Sequence, residues 1–550
     1  METWTQVYDP FTNIWLSAFI ALIPIIFFFL ALTAFRMKGH IAATVTVMLA
    51  IVIAILFYDM PISMVAATTG YGFAFALWPI SYIVIGAVYL YKLSVKSGQF
   101  DIIRSSIVSI TDDKRIQMLL VAFSFNAFLE GAAGFGAPIA ITAALLVGLG
   151  FEPLKAAGLC LIANTASGAF GAMGIPVIVA GQVSGLAPME IGKFLGTSLP
   201  FISFTIPFLL VVIMDGMKGL KEVWPAALVA GSTYAITQWA TVTFIGPELP
   251  NITSSIVSLV AVAVFVKVWH PRMQQNHTID PEVEAQLAVS LDSEAQLTAG
   301  RILKAWSPFI ALTAMVTIWS LKPFKNLFVE GGLLEATILQ IPVPGLHNLV
   351  IKTAPIVIEP TPYGAMLKLD LLSATGTAIF IAAILSIFIL RMSPKAALEA
   401  FVETVKELQK PVLTIMMVLG FAFIANYSGM SSTLGLALAA TGGVFPFLSP
   451  LLGWIGVFLT GSVTSNNALF GNLQQITAQQ IAVLPMVLVA ANTAGGVMAK
   501  MLSPQSIAVA TGAVGLVGRE GDLFRFTLKY SFVFLLITGG ITFAQALFIS

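Results

Sequence analysis

No charged side chain occurs between Lys410 and Lys500. About 20 apolar residues cover the hydrocarbon of a bilayer, so an uncharged run of this length has to cross or re-enter a membrane several times. The run is not uniformly apolar, however. It contains Gly461-Ser462-Val463-Thr464-Ser465-Asn466-Asn467 and, further on, Asn492-Thr493-Ala494-Gly495-Gly496. Lipid offers no hydrogen bonds, so polar clusters at that depth must face protein, water or a solute. The first half carries a counterpart: Glu130-Gly131-Ala132-Ala133-Gly134-Phe135-Gly136-Ala137-Pro138, then Asn164-Thr165-Ala166-Ser167-Gly168. Two such pairs in one chain point to a transporter.

Composition agrees. Of 550 residues, 58% are hydrophobic and only 10% charged, against roughly 25% charged in a soluble domain. The expected fold is an all-α polytopic membrane protein with about twelve to fourteen transmembrane helices, some of them re-entrant or broken. Met1-Glu2-Thr3-Trp4 lacks the basic start of a cleaved signal, so the first apolar run is expected to be retained. The single cysteine, Cys160, leaves no partner for a disulfide or a thiolate metal site. The four histidines (His40, His270, His277, His347) show no HExxH spacing, and neither metal nor cofactor is expected. A net charge of +1 without a basic, aromatic-interleaved patch gives no reason to expect nucleic acid. No GxxxxGK[ST] loop and no nucleophile–base set is present, so neither an ATP-driven pump in this chain nor an enzyme is expected.

Lysine and arginine placement sets the expected orientation. No base precedes Arg36; Arg36 and Lys38 follow the first helix, and Lys92, Lys96, Arg104, Lys114 and Arg115 follow the third. The N-terminus is therefore expected outside and those clusters in the cytoplasm. Residues 1–269 form a first transmembrane half with a repeat core about 62–215, and 270–303 a polar cytoplasmic linker. Residues 304–550 form the second half, with an outside insertion about 322–370 and a repeat core about 395–545.

The halves repeat. Asn164-Thr165-Ala166 recurs as Asn492-Thr493-Ala494 at an offset of 328, Ser97-Gly98 as Ser428-Gly429 at 331, and Pro79 pairs with Pro411 at 332. The first Pro-to-Ser-Gly segment ends among Lys92, Lys96 and Arg104, whereas the second begins after Lys406 and Lys410. The copies are thus expected to run in opposite directions, as two inverted-topology repeats whose broken helices meet at the midplane.

Glu130 is the only charge between Arg115 and Glu152. A lone carboxylate at membrane depth costs several kcal/mol unless it is protonated or partnered, which makes Glu130 the candidate proton-coupling group. Gly131, Gly134 and Gly136, closed by Pro138, break a helix and free amide N–H groups that suit a carboxylate; close helix packing is the competing use of such glycines. Ser462, Thr464, Ser465 and Asn466 form the second candidate tip. Asn164, Thr165, Ser167, Asn492 and Thr493 offer oxygens to a hydroxy acid or to sodium, or serve as interhelical polar glue. Lys500 either pairs with a substrate carboxylate or snorkels to the interface.

These residues resemble the bacterial lactate permease family over nearly the whole chain. The likeness is carried by Gly98 to Ser106, Leu129 to Pro138, Ile245-Gly246-Pro247-Glu248-Leu249-Pro250, Asn426-Tyr427-Ser428-Gly429, Ser503 to Ala508 and Asp522 to Phe526. Ala305-Trp306-Ser307-Pro308 and Ala354-Pro355-Ile356-Val357 are most similar to its glycolate permease branch. The resemblance implies import of short 2-hydroxymonocarboxylates, lactate and glycolate, with protons across the bacterial inner membrane. The chain departs from the family where members usually carry an acid at the position of Val463, a serine at that of Asn466, and Pro-Val at that of Ser167-Gly168. A valine carries no proton, so the family's usual pair of membrane carboxylates is reduced to Glu130.

The expectation is a proton symporter of small 2-hydroxymonocarboxylates. The two glycine-rich tips would hold the carboxylate, the Asn, Thr and Ser side chains the hydroxyl, and Glu130 the proton. A sodium-coupled carrier of another organic acid and a passive anion channel are the rivals, and a homo-oligomer stays open.

Overall fold

The computed structural model describes residues 2–549 except 36, 133, 135–136 and 270–297. Helices α1 (Ile14–Thr33) and α2 (Gly39–Leu56) have 20 and 18 residues, about 30 and 27 Å, which matches the hydrocarbon thickness. α1 starts where the Asn13 side chain accepts the backbone N–H groups of Trp15 and Leu16 at 3.1 and 3.2 Å, satisfying donors that a helix start leaves open. α3 (Ile62–Phe75) and α4 (Tyr82–Lys96) make one 35-residue span through a π-helical stretch at Ala76–Ser81. Pro79 lies inside that stretch; it has no N–H to give, and the helical ladder loosens there.

The first broken region follows α5 (Gln99–Val108). α6 (Lys114–Met118), a π-helical stretch at Leu119–Phe125 and α7 (Asn126–Ala132) run up to the glycine-rich break, and α8 (Ala137–Gly148) leaves it. α9 (Pro153–Ala163) unwinds through 3-10 turns at Asn164–Ala166 and Gly168–Phe170, and α10 (Gly171–Ser184) resumes at a bend of 66°.

α11 (Pro188–Phe244) has 57 residues. Straight, it would measure about 85 Å, far more than a bilayer. It reverses at Gly216, whose φ of 67° and ψ of −167° are open to glycine. The two arms then pack side by side: Ser203 Oγ donates to Gln238 Oε1 at 2.9 Å, and a Cβ on Gly231 would lie 2.6 Å from the Phe204 carbonyl oxygen. α12 (Pro250–Val268) closes the first half.

The second half contains α13 (Ala299–Ser320), α14 (Thr375–Ile389), α15 (Pro394–Ser428), α16 (Met430–Ala439), α17 (Phe445–Thr460), α18 (Val463–Gln480), α19 (Pro485–Lys500), α20 (Pro504–Ala513) and α21 (Glu520–Phe548). Most of the expected polar linker 270–303 lies outside the described residues, and its end already belongs to α13. Among the described residues, ten helices are long and apolar enough to cross a membrane, eleven if the bent α9–α10 pair counts as one span. Counting the two arms of α11 separately adds one more, which reaches the lower end of the expected twelve to fourteen. The apolar runs near Met118–Phe128, Ile139–Phe151 and Leu434–Phe447 form short helices beside the breaks instead of separate crossings.

The α3–α4 span and α15, each of 35 residues, pack antiparallel along their length. Lys96 pairs with Glu403 at 2.9 Å and Glu399 at 3.2 Å near one end, with Lys92 on Glu407 beside them. Tyr71 meets Phe423 edge to face at 4.8 Å toward the other end. Between them Gly72 faces Gly420 so closely that a Cβ would sit 2.8 Å from the Gly420 Cα, the small-residue contact that lets membrane helices approach. Both spans end at a left-handed glycine, Gly98 (φ 71°) and Gly429 (φ 97°), before a ten-residue helix.

The 322–370 insertion is not helical throughout. Strands β1 (Trp4–Thr5), β2 (Leu339–Pro342), β3 (Val350–Lys352), β4 (Thr361–Pro362) and β5 (Met366–Leu369) build two small sheets. β1 runs parallel to β3, with Trp4 opposite Val350, while β3–β4 and β2–β5 are antiparallel. Valine, isoleucine and threonine between prolines and turns favour extended backbone over helix here. Tyr363 stacks on Tyr427 of α15 at 4.1 Å, and Tyr427 Oη donates to the Gly364 carbonyl at 2.6 Å, so the insertion is fastened to the membrane helices. Gln6 Nε2 donates to the carbonyls of Asn426 and Tyr427 at 2.9 and 2.8 Å, occupying acceptors at the end of α15.

Candidate functional site

Glu130 sits in α7, one residue before the glycines, and is buried. It is not alone. Lys500 Nζ, from the last turn of α19, lies 2.5 Å from Glu130 Oε1, and Asn164 Nδ2 donates to Oε2 at 3.0 Å. The lone carboxylate expected from the sequence thus has a cation contributed from 370 residues away. Lys500 ends the uncharged stretch and reaches inward instead of toward the interface, its stem passing Gly168, where a Cβ would meet Lys500 Cδ at 3.6 Å. Gly171 leaves room for the carboxylate: a side chain there would sit 2.6 Å from Glu130 Oε1.

The break between α9 and α10 frees backbone carbonyls that need donors. α11 and α12 supply them. Gln238 Nε2 donates to the Ala166 carbonyl at 2.9 Å, Ser203 Oγ to the same oxygen at 3.4 Å, and Asn251 Nδ2 to the Ser167 carbonyl at 2.7 Å. Ser167 Oγ turns back to the Asn164 carbonyl at 3.3 Å. By contrast, Asn164 Oδ1 and Thr165 Oγ1 are buried and find no hydrogen-bond partner among the described residues. Buried polar atoms without partners are uncommon and mark places where a ligand or water belongs. α10 then begins with three consecutive left-handed residues, Ala172 (φ 43°), Met173 (φ 61°) and Gly174 (φ 73°).

At the first tip, Gly134 takes φ 57° and its Cα faces Ala172, where a Cβ would lie 3.0 Å from the Ala172 Cβ. Gly131 is pressed against α12, with a Cβ 2.8 Å from Asn251 Cβ, so its missing side chain serves packing. Gly136 lies outside the described residues.

At the second tip, α17 ends at Gly461 (φ 69°) and Ser462 caps α18, its Oγ accepting the Ser465 N–H at 3.1 Å. Val463 is buried, as is Ser465, and Thr464 is half-buried. Asn466 donates to the Asn492 carbonyl at 3.3 Å, while its Oδ1 faces Gly456 of α17 without a partner among the described residues. Asn467 is the hub. Its Nδ2 donates to the Pro176 carbonyl and to Thr493 Oγ1, both at 2.9 Å, and its Oδ1 accepts from Asn492 Nδ2 at 2.9 Å. Asn492 Oδ1 in turn accepts from Gln474 Nε2 at 3.4 Å.

The structure therefore brings Glu130, Asn164, Lys500 and the Asn467–Asn492–Thr493 network to the junction of the two halves. Ser462, Ser167, Gly131 and Asn466 are engaged in caps, turns or helix packing. Asn467, Gln474, Gln238 and Asn251 hold the breaks in place without having been named as site residues. Their signal was an amide side chain inside an otherwise apolar helix.

The L-lactate permease family model matches residues 17–549. The glycolate permease GlcA of Escherichia coli K12 is 58% identical over 99% of this chain and 98% of its own length. The L-lactate permease of Salmonella typhimurium LT2 is likewise 58% identical, over 99% of this chain and 98% of its own. That of Bacillus subtilis 168 is 50% identical over 98% of both chains. Identity thus does not separate the lactate from the glycolate relatives. The chain is a multi-pass membrane transporter and not an enzyme, and it belongs to the L-lactate permease family.

Proposed function

We propose that this transporter imports small 2-hydroxymonocarboxylates, lactate and glycolate, together with a proton across the bacterial inner membrane. The observation that carries the reading is the Glu130–Lys500 pair at the junction of the halves. A buried carboxylate that loses its cation becomes costly by several kcal/mol. An incoming substrate carboxylate competes with Glu130 for Lys500. Glu130, released, is then favoured to take a proton, so that anion and proton load together and no net charge crosses. The unpartnered Asn164 Oδ1 and Thr165 Oγ1 are suited to the substrate hydroxyl, and the tip amides near Gly134 and Ser462 to the remaining oxygens.

Alternating access would come from two inverted repeats. The antiparallel packing of the 35-residue spans and the left-handed glycine that ends each one support this arrangement. In this reading the N-terminus and the 322–370 insertion lie outside.

Uptake of radiolabelled glycolate and lactate into proteoliposomes tests the proposal. An inward proton gradient is expected to drive accumulation of either acid, and a protonophore to abolish it. Accumulation that follows only an imposed sodium gradient would favour a second reading, in which Asn164 Oδ1 and Thr165 Oγ1 ligate sodium. Equal fluxes with no gradient dependence and no counterflow would replace both by a passive pore.

A further inference from the structure

Away from Glu130, a cavity of about 260 Å³ opens where the loop between α11 and α12 meets the end of the insertion. Ligand sites for drug-sized molecules run from about 300 Å³ upward, so this one suits a smaller solute. Its polar wall consists of Glu248, Lys325, Asp370, Ser373 and Thr375, and its apolar wall includes Pro79 and Ile178. The charges are unevenly committed. Asp370 is occupied by Lys368 at 3.5 Å, Trp78 Nε1 at 3.2 Å and Ser373 Oγ at 3.3 Å. Glu248 Oε1 accepts a long bond from Thr375 Oγ1, at 3.4 Å, and forms no ion pair among the described residues. Lys325 is exposed and makes no ion pair among the described residues.

The position of Glu248 is built into the backbone. Gly246 adopts φ 151°, and a Cβ there would sit 2.5 Å from Glu248 Oε2, so only glycine lets the carboxylate fold back over the loop. Burial pushes the Glu248 carboxyl up from the ordinary carboxylate range, against the pull of its own backbone N–H, Lys325 and Thr375; this lowers the cost of placing another anion beside it. The loop that lines the cavity also packs against the first broken helix. The Pro247 carbonyl abuts Gly174 so tightly that a Cβ would overlap it, and three residues earlier Gly171 faces the Glu130 carboxylate.

We infer that this cavity is a separate access site for a small 2-hydroxymonocarboxylate, its carboxylate on Lys325 and its hydroxyl against Glu248 and Thr375. The inference rests on the proposed import function and on the insertion lying outside.

The test uses the full-length chain in right-side-out vesicles. Cys160 is fully buried and stays silent, so Met189→Cys on the cavity wall, or Ser373→Cys as a second reporter, introduces a single reactive thiol. A membrane-impermeant sulfonate thiol reagent is expected to stop most glycolate uptake. Glycolate, but not glycerol, is expected to slow the labelling severalfold. Lys325→Gln is expected to raise KM for uptake about tenfold, the loss of one favourable charge contact, with Vmax retained. Labelling that leaves uptake intact, or a labelling rate indifferent to glycolate, overturns the access site. Should neither cysteine react, an unchanged KM in Lys325→Gln overturns it and a raised one supports it. Wild-type vesicles that take up neither acid would instead sink the import function itself.

Discussion

Asn467 Nδ2 donates to the carbonyl oxygen of Pro176 at 2.9 Å, tying the second half's broken-helix region to the helix that follows the break in the first. The same nitrogen serves Thr493, and the side-chain oxygen serves Asn492. One amide therefore sets the mutual position of α10, α18 and α19.

Removing it should be expensive. Asn467→Ala takes a hydrogen bond from each of three buried groups, one on α10 and two on α19, each worth about 1–3 kcal/mol, so its unfolding temperature in detergent should fall well below that of Asn466→Ala. Asn466 has only two long bonds to lose among the described residues, at 3.3 and 3.5 Å, and its oxygen is already without a partner there. Equal melting temperatures for the two variants would remove Asn467 from its central place.

The Glu130–Lys500 pair makes a prediction in two parts. Lys500→Met strands a buried carboxylate and should cost about 3–5 kcal/mol, whereas the double variant Glu130→Gln/Lys500→Met should recover much of that loss. Neither should restore uphill transport. Glu130→Gln alone should lower gradient-driven uptake more than substrate exchange. A double variant no more stable than Lys500→Met would mean that the two residues do not act as a pair, and equal loss of uptake and exchange in Glu130→Gln would make Glu130 structural.

Val463 is the first residue of α18 and buried. An acid at a helix start is favoured by the exposed N–H groups there, so Val463→Asp should fold. Its uptake should depend more steeply on pH than that of the wild type, because a second carboxylate then titrates at the tip. Superimposable pH profiles would count against coupling at this position.

Arg115 is completely buried and holds Asp113 through two contacts, Nη2–Oδ2 at 2.8 Å and Nε–Oδ1 at 3.1 Å. It also binds Glu222 at 2.6 Å and Asp215 at 3.3 Å, beside the Gly216 reversal. Arg115→Met should therefore destabilise by about 3–5 kcal/mol. Arg115→Lys should recover only part of this, since an ammonium cannot reproduce the planar fork. Thermal unfolding of the purified variants checks both.

Gly174 and Gly185 share nearly the same backbone, φ 73° and 70°, but differ in surroundings. A Cβ at Gly185 meets nothing within 4 Å, whereas one at Gly174 collides with the Pro247 carbonyl. Gly185→Ala should cost about 1–2 kcal/mol of backbone strain, and Gly174→Ala clearly more. Similar losses in the two would show that the loop at Pro247 yields easily.

Much of this architecture could be read from residue order. The uncharged stretch, the paired glycine-rich breaks and the depth of Glu130 followed from charge and hydropathy alone. What could not be read was partnership. Nothing in the spacing of Glu130 and Lys500 announces an ion pair, because their meeting depends on how two distant broken regions face each other. The same holds for Gln238 and Asn251, whose amides look like ordinary interhelical contacts until the carbonyls of Ala166 and Ser167 are seen to need them. The short runs beside the breaks could not be told from crossings by composition, because a short apolar run there has the composition of a span without its length. Asn466 and Asn467 are adjacent and chemically alike, so sequence gave no basis for preferring the second; only the helical phase of α18 separates them.

The pairing of Trp4–Thr5 with Val350–Ile351, and of Gln6 with the carbonyls of Asn426 and Tyr427, fixes an order of events during synthesis. Residues 4–6 cannot be secured until the chain has been made past Val350 and Tyr427, so this early segment is stitched in late. Nascent chains halted before Val350 should keep residues 4–8 open to protease, and chains halted after Tyr427 should protect them.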